Sequence, residues 1–230
     1  MSGTGKTILI TGGTRGIGRA VAESLSASHH LLIGGRDEAS VKQTCGALRS
    51  AEPFVADLAN EEATAAAVES IGELDAVVHS AGVMGHGPLT SLSRADWRRT
   101  MELNVVAVAD LTRLLLPQLR RVRGTVVVIN SGSGLTARVD SALYSASKFA
   151  VRALADSVRE QEREHGVRVT TIYPGRVDTD MQRELVEGQG GQYDGGLYIR
   201  PSSIAAAVRL AIEMPSDASV DDLSVRPGPR

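Results

Sequence analysis

The chain is predicted to form an α/β domain: one doubly wound parallel sheet with helices on both faces. Three observations carry this. Short apolar runs recur along the chain, nearly continuous rather than alternating, as strands buried on both faces require. Longer stretches with helical periodicity separate them. No composition shift, repeat, low-complexity tract or linker interrupts the alternation, so a single domain over 1–230 is expected.

The strand candidates are TILIT at 7–11, LLIG at 31–34, Phe54-Val55, DAVVH at 75–79, TVVVIN at 125–130, VRVTTIY at 167–173 and, more weakly, DLSV near the end. About seven strands are therefore expected. Helices are expected at 16–28, 60–71, 94–123, 143–165 and 202–213. The third is long and holds Pro117, where a break is expected because proline lacks the amide hydrogen of a helix interior. One segment stands apart. EGQGGQYDGGL, at 187–197, is glycine-rich and is expected to be a mobile loop. Placed near the strand C-termini of a doubly wound fold, it is a candidate substrate lid.

Composition narrows the functions. The formal net charge of −2 provides no overall basic field for nucleic acid or a membrane surface. No apolar run reaches the ~20 residues needed to span a bilayer. The N-terminus lacks a charged-then-apolar leader pattern. Cys45 is the single cysteine, which excludes an intramolecular disulfide and fits a reducing, cytoplasmic compartment. No metal site is expected.

Two glycine-rich stretches open the chain, and position separates them. Gly5-Lys6-Thr7 resembles the tail of an ATPase phosphate loop, but that loop needs a glycine five residues before Gly5, beyond the start of the chain. It also precedes its strand, where no helix N-terminus can face a phosphate. It reads as a solvated lead-in. TGGTRGIG follows a strand and opens a helix. The first amides of that helix lack internal partners and sit at the positive end of its dipole, so a pyrophosphate fits there. Gly12 allows the tight turn, Gly16 the approach of backbone to phosphate, and Gly18 close packing of helix on strand.

TGGTRGIG resembles the cofactor motif of the single-domain short-chain dehydrogenase/reductases, and the rest of the chain agrees in order. VADLA holds Asp57 and Leu58, with Asp57 where the family has an acceptor for the adenine amino group. HSAG, with Ser80, Ala81 and Gly82, stands where the family has N-N-A-G. Asn104 matches the family's helix asparagine, Ser131 its serine, and Tyr144 and Lys148 its Y-x-x-x-K pair. YPGRVDT matches P-G-x-V-x-T and supplies Pro174, Gly175, Val177 and Thr179. The resemblance implies a Rossmann-type fold with strand order 3-2-1-4-5-6-7. It also implies a catalytic set of Asn104, Ser131, Tyr144 and Lys148, and a cofactor cradle that includes Thr14 and Ile17.

Spacing makes the tyrosine–lysine pair chemically sensible. Tyr144 and Lys148 lie one turn apart on one helix face. The chain has only three lysines and four tyrosines, so a chance match is rare. Free tyrosine titrates near 10. A nearby ammonium and the positive charge of an oxidised nicotinamide both favour its phenolate. Tyr144 then serves as general acid toward a carbonyl or as base toward an alcohol, and Ser131 holds the same oxygen. By resemblance, Lys148 also bonds the nicotinamide ribose, and Asn104 holds a water that feeds the lysine.

The second strand candidate runs into Gly35 and Arg36, and Gly35 stands where NAD-using members carry an acid. Arg36 suits a 2′-phosphate, and Arg15 is a second basic position of the same kind. Asp37 reads as a helix N-cap. NADP(H) is the expected cofactor. His79 replaces the first asparagine of N-N-A-G and reads as a buried, satisfied core histidine. The substrate rim is expected from Met84, Ser133, Leu135, Arg138, Gly175, Arg176, Met181 and the glycine-rich lid with Tyr193 and Tyr198, for a small-molecule carbonyl or alcohol. A homodimer or homotetramer is expected by resemblance. The alternative reading is a non-catalytic dinucleotide-binding redox sensor on the same fold, which has no need for a poised phenol.

Overall fold

All seven runs form strands in the computed structural model, which describes residues 5–228. They are β1 (Thr7–Ile10), β2 (His30–Gly35), β3 (Ala51–Val55), β4 (Ala76–His79), β5 (Thr125–Ile129), β6 (Arg168–Pro174) and β7 (Asp222–Val225). The sheet has the order β3-β2-β1-β4-β5-β6-β7, and every pairing is parallel. Ile8 pairs with Leu31 on one side and Ala76 on the other. That register aligns the C-terminal ends of the central strands along one edge, where a doubly wound sheet forms its crevice.

Alternate residues of each strand feed two cores. Ile8, Ile10, Leu31, Ile33 and Val78 pack with Val21 and Leu25 of α1 (Gly16–Leu25) and with Ile204, Val208 and Ile212 of α8 (Pro201–Glu213). On the other face, Leu9, Val77, Val126 and Val128 meet Leu111, Leu115 and Leu119 of α5 (Ala107–Val122) and Val151 and Ala155 of α6 (Ala142–Glu162). Each fully buried aliphatic side chain contributes about 1.5–3 kcal/mol, so the sheet is the rigid part of the molecule.

Helix starts follow local chemistry. Asn60 caps α3 (Glu61–Glu69) by accepting from Ala63 N. Ser93 and Asp96 cap one another's amides at the start of α4 (Arg94–Met101). Two helices escape the sequence reading. α2 (Glu38–Gly46) buries only Val41 and Thr44, and α7 (Asp180–Gly188) only Gln182, so neither shows a continuous apolar stripe. Asp37 caps α2 by accepting from Ser40 N, as expected. α7 takes up the first two residues of the glycine-rich segment 187–197, which ends in a short turn at Gly195–Leu197.

Two expectations are corrected. The long helix does not break at Pro117. α5 runs through it, because the buried Leu111–Leu115–Leu119 stripe continues across the proline and the neighbouring Arg113 side chain is exposed. The irregularity lies earlier, where a π turn at Glu102–Val106 joins α4 to α5. Nor is Lys6 a solvated lead-in. Its ammonium donates to Ile212 O at 2.5 Å and its amide to His29 Nδ1 at 3.2 Å, tying the entry of β1 to α8. Lys6 sits at the opposite end of β1 from the crevice, which confirms that the Gly-Lys-Thr stretch does not face it. Among the described residues, no helix is long and apolar enough to cross a membrane.

Candidate active site

The crevice is a cleft of about 310 Å³ at the C-terminal ends of the central strands. Its floor begins with the glycine turn. Gly12 has φ +62°, and a Cβ there would lie 3.0 Å from the Ala81 backbone. Gly18 does not line the cleft. A Cβ on it would be 2.2 Å from Gly12 O, so it lets α1 press on the turn. Arg15 is the N-cap of α1 and provides no side-chain cap, so the first amides of the helix face the cleft uncapped by a side chain. Thr14, Gly16 and Ile17 line this end.

Thr11 belongs to the site although the sequence reading passed over it. Its hydroxyl oxygen accepts from Ser80 N at 3.0 Å and Ala81 N at 3.1 Å. One side chain thereby holds the Ser80–Ala81–Gly82 turn against the glycine loop. Its signal in the sequence was its place immediately before Gly12.

At the far end, Arg36, Asp57 and Leu58 line the cleft together with Phe54 and Ala56. Arg15 and Arg36 are exposed, and neither forms an ion pair among the described residues. Asp37 does not compete for Arg36. Its carboxylate accepts from Ser40 N and Oγ, and those bonds hold it below the usual carboxylate range. Gly35 is closed to larger residues here: a Cβ would lie 2.7 Å from Val41 Cγ2.

The opposite end holds the polar set. Tyr144 and Lys148 project from α6 into the cleft. The ammonium lies 5.7 Å from the centre of the tyrosine ring and donates to Ile129 O at 3.2 Å. Burial lowers Lys148 to about 8. Burial raises Tyr144 above its ordinary value, while a hydrogen bond with Ser131 pulls the other way. This departs from the expected lowering: within the protein alone, desolvation of the phenolate outweighs the Ser131 hydrogen bond. Ser131 lies two residues beyond β5, at the start of a short turn, and accepts from Ser133 N at 3.1 Å.

Asn104 sits in the π turn, 2% exposed. Its Oδ1 accepts from Val83 N at 2.9 Å, and its Nδ2 donates to Val83 O at 2.9 Å and Ser147 Oγ at 3.1 Å. Both amide hydrogens are thus committed to protein partners. The side chain splices the loop after β4 to α6.

The remaining residues fall into two groups. Thr179 and Met181, with Asp180, line the cleft beside the glycine turn. Pro174, Gly175 and Val177 lie behind it. Gly175 N bonds Val225 O, and Val177 is buried in a bridge with Ile199. Of the expected substrate contacts, only Met181 lines the cleft; Met84, Ser133, Leu135, Arg138, Arg176, Tyr193 and Tyr198 are not among the residues that line it. The bridge closes a loop over 177–199. Within it, Tyr193 donates to Asp178 Oδ1 at 2.5 Å, stacks on Tyr198 and lies under Arg183. Outside the residues that line the cleft, Gln189 Nε2 and His86 Nε2 are 2.7 Å apart, joining this loop to the segment after β4. His79 is buried, as expected, with Nε2 3.0 Å from Thr112 Oγ1, and burial lowers it to about 4. Among the described residues, no group of three or more His, Cys, Asp or Glu side chains is placed to hold a metal.

Comparison with known proteins decides the family. The model of the short chain dehydrogenase family matches residues 6–190. This chain belongs to the short-chain dehydrogenases. It is 31% identical to the 2,3-dihydro-2,3-dihydroxybenzoate dehydrogenase of Escherichia coli, over 99% of this chain and 98% of that one. A solved alcohol dehydrogenase from the archaeon Thermococcus sibiricus, complexed with 5-hydroxy-NADP, superimposes with a TM-score of 0.87 at 26% identity, covering 98% of this chain and 99% of that one. A metagenomic short-chain oxidoreductase in complex with NADP gives 0.83 at 28% identity, with both chains fully covered. This short-chain dehydrogenase therefore shares fold and family with oxidoreductases along its whole length.

Proposed function

We propose that this short-chain dehydrogenase moves hydride between NADP(H) and a small carbonyl compound or its secondary alcohol, with Tyr144 exchanging the proton. One observation carries the reading. The Tyr144 hydroxyl, beside Ser131 and one turn from Lys148, shares a single cleft with the open N-terminus of α1.

The residues present fit a 2′-phosphorylated dinucleotide. Uncapped amides of α1 receive the pyrophosphate, and Gly12 keeps the turn low enough for it. Arg15 and Arg36, which form no ion pair among the described residues, receive the 2′-phosphate. Both solved neighbours were crystallised with NADP or a modified NADP, which supports this choice. Asp57 is left for the adenine end.

Bound in the cleft, the nicotinamide supplies the hydride that reaches carbon. The protein's part is the proton and the placement. Ser131 and Tyr144 hydrogen-bond the substrate oxygen and fix it over the cleft. In reduction, Tyr144 gives its phenolic proton to that oxygen as negative charge develops there; in oxidation, its phenolate takes the proton from the alcohol. The Lys148 ammonium favours the phenolate side of this exchange. Met181 faces the cleft and excludes water beside it. Within the loop closed by the Val177–Ile199 bridge, the glycine-rich segment 187–197 acts as the lid. Half-exposed Val106 and Phe149 support an apolar pairing surface for a homodimer or homotetramer, which a sedimentation mass checks.

A panel of ketones, aldehydes and secondary alcohols, followed by NADPH absorbance, tests the reading. Turnover of at least one class with NADP(H) supports it. Tight NADPH binding with no turnover across the panel would favour the redox sensor instead.

A further inference from the structure

Asn130 lies between the two groups the mechanism depends on, and neither the motif set nor the proposed mechanism uses it. It is 4% exposed and lines the cleft at the end of β5. Its Oδ1 accepts from Ser131 N at 2.8 Å, and its Nδ2 donates to the main-chain oxygen of Lys148 at 3.1 Å. The peptide just before it receives the other end of the same lysine, through Nζ to Ile129 O at 3.2 Å. Lys148 is therefore held at both ends by two consecutive residues, and the same side chain fixes the amide of Ser131.

We propose that Asn130 is a positioning residue, which locks Ser131, just after β5, to Lys148 of α6 and so sets the distance between Ser131 and Tyr144. The proposal rests on the hydride-transfer reading above. Packing supports it independently. Gly134 leaves just enough room for the bridge: a Cβ there would lie 2.5 Å from Asn130 Oδ1 and 2.9 Å from Lys148 O. Side-chain amides are suited to this task, because one planar group accepts on one side and donates on the other. Serine or alanine at 130 cannot span both partners. A misplacement of about 1 Å in a proton-transfer site costs on the order of a hundredfold in rate, so the bridge acts on turnover more than on binding.

The test uses the full chain, with NADPH affinity measured directly and turnover expressed per cofactor-binding site. Asn130→Ala and Gly134→Ala are each expected to lower kcat about ten- to a hundredfold, while the NADPH Kd stays within about twofold. Asn130→Asp keeps the acceptor for Ser131 N and loses the donor to Lys148 O, so its kcat falls between. The double variant is expected to be no slower than Asn130→Ala alone, because both changes break the same bridge. If Asn130→Ala does not fold, the Asp and Gly134 variants carry the same comparison. A kcat within about twofold of the parent, equal losses in kcat and NADPH affinity, or effects that multiply would each overturn the proposal. Tyr144→Phe in the same assay separates the two claims. Loss of turnover there, with Asn130→Ala at parental rate, overturns the positioning role and leaves the hydride-transfer reading standing.

Discussion

The Thr112 hydroxyl donates to Val108 O at 2.6 Å, and its oxygen lies 3.0 Å from His79 Nε2. The threonine hydrogen is already spent, so the imidazole is the donor and carries its proton on Nε2. A second proton would place a charge in a fully enclosed site at the end of β4.

That arrangement makes stability depend on acid. His79 is lowered from 6.5 to about 4 by burial, so between these values the unfolded chain binds the extra proton and the folded chain does not. Stability is expected to be fully present above pH 6.5 and to decline toward pH 4, by up to about 3 kcal/mol from this one group. Thermal unfolding of the parent and of His79→Asn across that range checks it. The variant should show a shallower acid limb, and an unchanged limb would remove His79 as the cause.

Cofactor choice is expected to depend on Arg36. Arg36→Ala is expected to weaken NADPH binding about tenfold and to leave NADH nearly unaffected, as loss of a charged hydrogen bond to a phosphate predicts. The effect should shrink as salt is raised, because Arg36 is exposed. Titration with both cofactors measures it. Equal losses for the two would place Arg36 away from the 2′ position.

Much of this was legible in the sequence, for identifiable reasons. Strands buried on both faces appear as unbroken runs such as TVVVI, so the central strands were readable; the largely exposed edge strands β3 and β7 showed only Phe54-Val55 and a weak DLSV. Asp37 was readable as a cap because its role is local. The helices after β2 and β6 were not, because Val41, Thr44 and Gln182 are too few to make a stripe. Pro117 misled because local propensity yields to a tertiary stripe. Met84, Ser133, Arg138 and Arg176 were placed by loop membership alone, which says nothing about where a side chain ends up relative to the cleft. Asn130 and Thr11 escaped because each acts through partners at least eighteen residues away, apart from the adjacent Ser131.

The pH profile should distinguish the two directions of the reaction. Lys148 loses its proton near 8, and Tyr144 is held above its ordinary value by burial. Reduction needs the protonated phenol and the ammonium, so kcat is expected to be flat below pH 8 and to fall above it. Oxidation needs the phenolate and should rise with pH over the same interval. Measuring kcat in both directions from pH 6 to pH 10 (a range set by the ordinary values of the two groups) reads this. Parallel profiles in the two directions would contradict the assignment of the proton to Tyr144.

The central claim is that Tyr144 exchanges the proton with the substrate oxygen. The most direct measurement compares the parent and Tyr144→Phe for NADPH-dependent turnover of the best panel substrate, with NADPH affinity measured beside it. Turnover is expected to fall by about a hundred- to ten-thousandfold, with cofactor affinity kept. Parental turnover in the phenylalanine variant would contradict it.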